Sequence, residues 1–185
     1  MKSYGFKVFL LVSLVVLLFA GCTNRYIITQ ELEAKFPEEA TCHIGDFTDE
    51  LPDDVSMEKK PTIEDIEKFR KYIYEALQKS EVLKMLVKSP DNDYEIRGRI
   101  LDYKKGSGFL RFIFSFLGNA KLTTALELYD NHTGRKVFAG NFTGKVSDWS
   151  VSGEKMYEIV AKDFSKALKK ELKRLDKLEK NKEKE

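Results

Sequence analysis

The sequence predicts an α+β two-layer sandwich, in which a mixed or antiparallel sheet of about five strands is covered by two amphipathic helices. Three consecutive segments, 93–103, 120–129 and 135–146, alternate apolar and polar residues as half-buried strands do. The turn-forming run 130–134 separates the last two, which predicts an antiparallel meander. Two further segments carry apolar residues every three or four positions, which is the period of an amphipathic helix.

The two helices and two shorter strands complete the predicted fold. The first helix is expected to begin near Pro61 and end near Ser80, since proline suits the first helical turn. The second begins near Glu154, and short strands are expected at 41–47 and 82–87. The predicted buried stripe of the second helix consists of Met156, Ile159, Val160, Phe164, Ala167, Leu168, Leu172 and Leu175.

The charge of the chain is balanced. The 185 residues include 32 lysines and arginines and 30 acids. The first 21 residues hold Lys2 and Lys7 and no acid, so the remainder has no net charge. This balance argues against a nucleic-acid binder driven by bulk positive charge, and the length suits one domain.

The N-terminus has the pattern of a secretory signal. Its 13-residue apolar run, 8–20, is short for a membrane-spanning helix and ends at small residues before Cys22. The run 18–22 resembles the lipobox of bacterial lipoproteins, which implies cleavage before Cys22 and acylation of its sulfur. Thr23 in the next position implies the outer membrane, with the domain facing the periplasm. An uncleaved anchor helix with an incidental cysteine is the alternative.

These features divide the chain into four parts. Residues 1–21 are predicted to be a lipoprotein signal peptide and 22–40 a lipidated tether. Residues 41–176 form the single α+β domain, and 177–185 a charged, disordered tail in which lysine and glutamate alternate.

No metal site, cofactor site or catalytic group is expected. Cys42 and His43 are neighbours on a predicted strand, so their side chains point to opposite faces and form no chelate or nucleophilic pair. Cys42 is expected in the core, and His132 in the hairpin turn. The Gly106-Ser107-Gly108 run is interpreted as a turn, and the acidic segment 46–54 as a solvated loop. The protein is therefore expected not to be an enzyme.

The aromatic segment 109–117 is the main candidate site. It holds four of the 13 phenylalanines, and Phe109, Phe112 and Phe116 would share one face of a helix. The simpler interpretation places them in the core between sheet and helices. The alternative is an exposed contact for a membrane, a partner or an apolar ligand, which would be unusual on a monomer. Trp149, on the opposite loop, is a weaker candidate of the same kind.

The half of the chain from Tyr94 onward carries a recognisable arrangement of motifs. A strand ending in Arg97-Gly98-Arg99-Ile100 is followed by an aromatic link and by Asn119-Ala120-Lys121-Leu122, which opens the next strand. The hairpin Asp130-x-x-Thr133-Gly134-Arg135-Lys136-Val137 and a closing helix come after it. This arrangement resembles the bacterial lipoprotein family known as domain of unknown function (DUF) 4410. The resemblance implies an envelope-located α/β domain and brings no established activity.

Three functions remain open at this point. The first is a non-enzymatic, lipid-anchored envelope protein that binds the membrane through acyl chains on Cys22 and a protein partner through its sheet edge or aromatic link. The second is a carrier or sensor of an apolar ligand, in a helix–sheet pocket lined by Phe112, Phe116 and Phe164. The third is a hydrolase that uses a pair of carboxylates, for which no pair stands out.

Overall fold

The fold was analysed in a computed structural model, which describes residues 26–37, 39–52, 55, 60–82, 85–87, 92–113, 118–148 and 150–183. Six strands and three helices follow one another in this part of the chain. In chain order they are β1 Tyr26–Gln30, β2 Thr41–Asp49, α1 Ile63–Ser80, β3 Met85–Val87, β4 Tyr94–Lys104, α2 Gly108–Ile113, β5 Ala120–Asp130, β6 Lys136–Val146 and α3 Lys155–Lys182.

All six strands form one sheet in the order β1-β6-β5-β4-β2-β3. The predicted meander is confirmed, because β4 pairs antiparallel with β5 and β5 antiparallel with β6. The sheet is mixed, since β2 runs parallel to both β4 and β3. The predicted α+β fold with helices packed on the sheet is therefore confirmed, with β1 as a sixth strand.

The core lies between the sheet and the two long helices. On α1 the buried apolar residues are Phe69, Ile73 and Leu77, at the predicted spacing. The helix begins where Thr62 forms a capping box: its side chain accepts a hydrogen bond from the backbone N–H of Asp65, and the Asp65 carboxylate accepts one from the backbone of Thr62. On α3 the fully buried residues include Val160, Phe164 and Leu168. Ile63, the first residue of α1, is 83% exposed although it is apolar.

The predicted tether contains a strand, so the predicted domain start at residue 41 is too late. Tyr26, Ile27 and Ile28 pair with Phe142, Asn141 and Gly140 of β6. Leu32, in the segment that follows, is only 2% exposed and belongs to the core. Pairing with the free edge of β6 satisfies backbone groups that a tether would leave to water.

The predicted disordered tail is also wrong over most of its length, because α3 continues to Lys182. The Nζ of Lys35 lies 2.5 Å from Asp176 and 2.6 Å from Glu179. Arg174 donates to the backbone carbonyl of Leu32 at 2.6 Å. These contacts join the last turns of α3 to the segment after β1. The last two residues of the chain lie outside the described residues.

Candidate functional site

One end of the sheet carries the aromatic segment. At this end β4 finishes at Lys104, β5 starts at Ala120 and β6 finishes at Val146, with Ala120 and Val146 directly paired. Helix α2 lies in the connection between β4 and β5. We call this part of the molecule the α2 end.

Two glycines and a hydrogen bond fix the base of the α2 connection. Gly106 and Gly118 both have a φ of 75°, a conformation that favours glycine. The N–H of Ser107 donates to the carbonyl of Gly118 at 2.9 Å, which closes the two ends of the connection on each other. The Ser107 hydroxyl accepts a hydrogen bond from the N–H of Leu110, in the first turn of α2. The predicted turn at 106–108 thus becomes the entry to a short helix.

The phenylalanines of α2 lie on the surface. Phe109 is 70% exposed and Phe112 is 65% exposed, whereas Phe164 is completely buried. The core interpretation is therefore wrong for Phe109 and Phe112. Phe116 and Trp149 lie outside the described residues. The placement of Phe112 and Phe164 gives no support to an apolar-ligand pocket lined by both.

The segment that follows β6, residues 147–148, does not leave the sheet opposite α2. Asp148 follows Val146, the last residue of β6, and Val146 pairs with Ala120 at the α2 end. The chain therefore leaves the sheet on the side where α2 is attached. The predicted antiparallel meander already implies this placement, because β4 and β6 are both antiparallel to β5 and so finish at the same end of the sheet.

A series of polar contacts connects the segment just ahead of α2 to both long helices. Lys105, just ahead of α2, lies 3.3 Å from the buried Asp65 of α1. Burial alone would raise the pKa of Asp65, but hydrogen bonds from Thr62, Tyr103 and Lys105 bring the pKa below its usual value. The hydroxyls of Tyr103 and Tyr157 are 3.3 Å apart, and burial raises the pKa of Tyr103 to about 12. Burial also raises the pKa of Tyr157, so both tyrosines stay neutral, and these contacts join the end of β4 and Lys105 to both long helices.

Three lysines lie side by side at the α2 end. Lys104 is the register partner of Lys121, and Lys121 is the register partner of Lys145. We call this set the lysine row. Lys121 forms an ion pair of 2.6 Å with Asp102. Within the described part of the chain, Lys104 and Lys145 form no ion pair. Sequence analysis missed the row because its members come from three separate strands.

The middle of the open sheet face has its charges paired internally. Glu127 accepts hydrogen bonds from Arg99 at 3.1 Å, Lys136 at 3.0 Å and Tyr129 at 2.9 Å. Burial would raise the pKa of Glu127, but these partners lower it below its usual value. The Arg97 guanidinium lies over the Tyr129 ring, 4.6 Å from its centroid. The charges of this cluster are paired within it, so its contacts stabilise the pairing of β4, β5 and β6.

Among the described residues, no group of three or more histidine, cysteine, aspartate or glutamate side chains could hold a metal ion. In the same part of the chain, no helix is long and apolar enough to cross a membrane.

The family model named domain of unknown function (DUF4410) matches residues 40–148 of the chain. The chain belongs to the DUF4410 family. The match covers β2 to β6, including the α2 end and the lysine row. No activity is established for this family by its description. A comparison with functionally curated proteins finds no match.

Solved structures share the fold of this DUF4410 protein at low identity. The PelC dodecamer from Paraburkholderia phytofirmans has a TM-score of 0.56 at 11% identity, covering 76% of this chain and 96% of that one. A variant of the same dodecamer has a TM-score of 0.55 at 14% identity, covering 77% and 96%. A structure described as a putative lipoprotein from Caulobacter crescentus has a TM-score of 0.36 at 15% identity, covering 54% and 80%, and a score this low does not show a common fold. At these identities the PelC likeness shows a common fold alone.

The predicted core position of Cys42 is confirmed, and it leads to a testable expectation. Cys42 is completely buried, and burial, with a smaller contribution from Glu95, raises its thiol pKa to about 12. We expect the native DUF4410 protein to leave this thiol unreactive toward a thiol reagent at neutral pH. The measurement is the rate of thiol modification with and without urea, which exposes the thiol. Rapid modification in the native state would contradict the placement.

His132 lies in the hairpin turn, as predicted, and ties it to another strand. Its Nε2 lies 2.7 Å from Asp93, whose other carboxylate oxygen accepts hydrogen bonds from the Thr41 N–H and hydroxyl. The hydrogen bond with Asp93 raises the pKa of His132. The Thr41 N–H and then His132 lower the pKa of Asp93 to about 2. The β5–β6 turn is thereby joined to the start of β2.

This pair makes stability depend on pH with a definite sign. Because the His132 pKa is raised in the folded state, its contribution is full below the unfolded value of about 6.5 and is lost as pH rises through the folded pKa. We expect wild-type protein to lose more stability between about pH 6 and pH 8 than His132→Gln. Urea unfolding of both proteins at the two pH values measures this difference. Equal losses would contradict a role for the pair.

Proposed function

We propose that this protein is a non-enzymatic binding or assembly accessory of the bacterial envelope, acylated at Cys22, with its domain facing the periplasm from the outer membrane. The observation that carries the proposal is the lipobox-like run 18–22, which lies directly ahead of a folded domain. Only three residues separate Cys22 from the start of β1. Acyl chains on Cys22 would therefore hold the sheet close to the lipid surface, since two or more chains give stable anchoring.

The free edge of β1 supports a binding role. β1 pairs with β6 on one side, and no described strand pairs with its other side. Its Ile27 side chain is 67% exposed. An exposed edge strand with apolar side chains is a template for strand addition by another chain. PelC, which shares the fold, forms a dodecamer, so a further copy of this chain is the first partner to test.

The anchor is tested by the mass of the mature protein. Intact mass spectrometry of the full chain expressed in a bacterium is expected to give a polypeptide that begins at Cys22 and carries acyl groups. A Cys22→Ala variant is expected to lose this modification. A mature chain that retains residues 1–21 or lacks acyl groups would contradict the proposed anchor.

The edge is tested by photo-crosslinking in intact cells. A photoreactive residue at Thr29, an exposed β1 position, is expected to give a discrete crosslinked product. The matched position is Leu178, which is 47% exposed on α3. Ile27→Lys is expected to abolish the product at 29 without loss of folding, because a charge on an edge strand blocks strand addition. Equal products at both positions, or none at 29, would contradict the edge as binding site.

A further inference from the structure

Exposed apolar side chains are concentrated at the α2 end. In the described part of the chain, six large apolar residues are strongly exposed, and four of them are Ile63, Phe109, Leu110 and Phe112. Ile63 belongs to this end because it lies in the first turn of α1, where Asp65 contacts Lys105 at the base of α2. Apolar surface gathered in one place on a soluble domain marks an interaction site.

The lysine row adds a positive charge to the same end. Like charges directly opposite each other on neighbouring strands destabilise a sheet. This repulsion acts within the lysine row, because Lys104, Lys121 and Lys145 are direct neighbours on three strands. Only Lys121 has a carboxylate partner in the described part of the chain. Lys104 and Lys145 are both exposed. In the described part of the chain only Asp102 offsets this repulsion, and a contact with further negatively charged groups would offset more of it.

The direction of β1 brings the N-terminal segment to this end. Tyr26 pairs with Phe142, and β1 then runs back along β6 toward Ala139. Phe142 is four residues from Val146, which is about 13 Å along a strand. Cys22 is four residues ahead of Tyr26, and four residues reach at most about 14 Å. The length of chain ahead of β1 therefore allows Cys22 to reach the level of the α2 end.

The other end of the molecule has a different character. There α3 ends in a run of lysine and glutamate, and Lys35 pairs with Asp176 and Glu179. The β5–β6 turn lies at this end too, with His132 paired to Asp93. Of the strongly exposed apolar residues, only Leu178 lies here in the part that the structure describes. Most of the strongly exposed apolar residues and the lysine row therefore lie together at the α2 end, beside acids such as Asp102 and Glu64 that are paired with lysines.

We propose that the α2 end is a second membrane contact, which seats Ile63, Phe109, Leu110 and Phe112 in the interface of an anionic phospholipid bilayer. The lysine row binds the lipid phosphates beside them. This inference rests on the proposed acylation of Cys22, which holds the chain at the same surface. A second copy of the chain fits the surface less well, because a two-fold contact places identical patches, and therefore the two lysine rows, against each other.

The experiment uses the full acylated chain in vesicles of phosphatidylethanolamine and phosphatidylglycerol. Leu110→Cys and Leu178→Cys provide matched labelling positions, since the two leucines are 43% and 47% exposed. Each carries an environment-sensitive fluorophore, and the vesicles contain a lipid with a nitroxide quencher. We expect quenching and a blue shift of the label at 110, and neither at 178. Urea unfolding of each labelled protein confirms that it is folded.

The role of the lysine row is tested separately, with a variant that removes its three charges. A triple variant is expected to weaken the attraction of the α2 end to the bilayer by roughly a hundredfold, at about fivefold per lysine. It combines Lys104→Gln, Lys121→Gln and Lys145→Gln. Quenching at 110 is then lost, as it is when phosphatidylglycerol is replaced by a neutral lipid. Three glutamines at Lys177, Lys180 and Lys182, on the last turns of α3, are the matched control and leave quenching unchanged.

The outcomes separate this inference from the proposed function. An acylated chain whose label at 110 stays in water overturns the second contact and leaves the anchor intact. A chain without acyl groups overturns the anchor, and quenching at 110 after addition to vesicles still supports the contact. Quenching that survives both the glutamine variant and neutral lipid overturns the lysine part. Shielding of the label at 110 without vesicles, rising with protein concentration, identifies a second copy and overturns the proposal.

Discussion

Phe164→Ala is expected to lower the free energy of unfolding by about 3–5 kcal/mol, the range found when a large aromatic is removed from a core. The Phe164 side chain has no exposed area and lies on α3 facing β6. Its ring is 5.4 Å from that of Phe142, edge to face, and 6.0 Å from that of Phe138. The truncation leaves a cavity between helix and sheet that neither rigid layer can fill. Equilibrium urea unfolding measures the change.

Phe109→Ala is the matched control for that measurement. Phe109 is 70% exposed, so its removal is expected to change stability by no more than about 0.5 kcal/mol. Similar losses for both substitutions would contradict the placement of one phenylalanine in the core and the other on the surface.

Gly144→Ala is expected to destabilise the fold by about 1–3 kcal/mol, because the site has no room for a methyl group. A Cβ at Gly144 would lie 2.2 Å from the backbone carbonyl oxygen of Met156, in the first turn of α3. That oxygen belongs to the main chain, so relief requires α3 to move away from β6. Movement of α3 would loosen Phe164 against the sheet. Urea unfolding compared with wild type gives the cost.

The control for Gly144→Ala is the preceding residue. Thr143 is half-buried, and its hydroxyl lies 3.2 Å from that of Thr123 on β5. Thr143→Ala removes one hydrogen bond and is expected to cost about 1 kcal/mol or less. A larger loss of unfolding free energy for Thr143→Ala than for Gly144→Ala would contradict the claim that the close approach of α3 to β6 leaves no room for a methyl group at residue 144.

The long elements were predictable because their signals are local. The alternation of Leu122, Leu126 and Leu128 with polar residues fixes which face of β5 is buried. The spacing of Phe69, Ile73 and Leu77 does the same for α1. β1 was missed because its five residues have little pattern of their own. Its formation depends on the unpaired edge of β6, which lies more than 100 residues further along the chain.

The exposure of the aromatic segment could not be decided from its composition. A run rich in phenylalanine is equally compatible with a core and with a contact surface. The direction of β4 and β5, and the closure of their connection at Ser107 and Gly118, place α2 beyond the end of the sheet. In that position neither long helix covers Phe109 or Phe112.

By itself the sequence determined the α+β class, the family resemblance, the meander, the two long helices and the core positions of Cys42 and Phe164. The strands and helices could be recognised because the repeat of two residues in a strand and 3.6 in a helix is visible among neighbouring positions. Tertiary structure alone decided which end of the sheet collects Ile63, Phe109 and Phe112. It also decided that Lys104, Lys121 and Lys145 stand side by side. These groupings depend on strand direction and register, which are set by pairing between distant segments and by the packing of the helices, so no single stretch of sequence contains them.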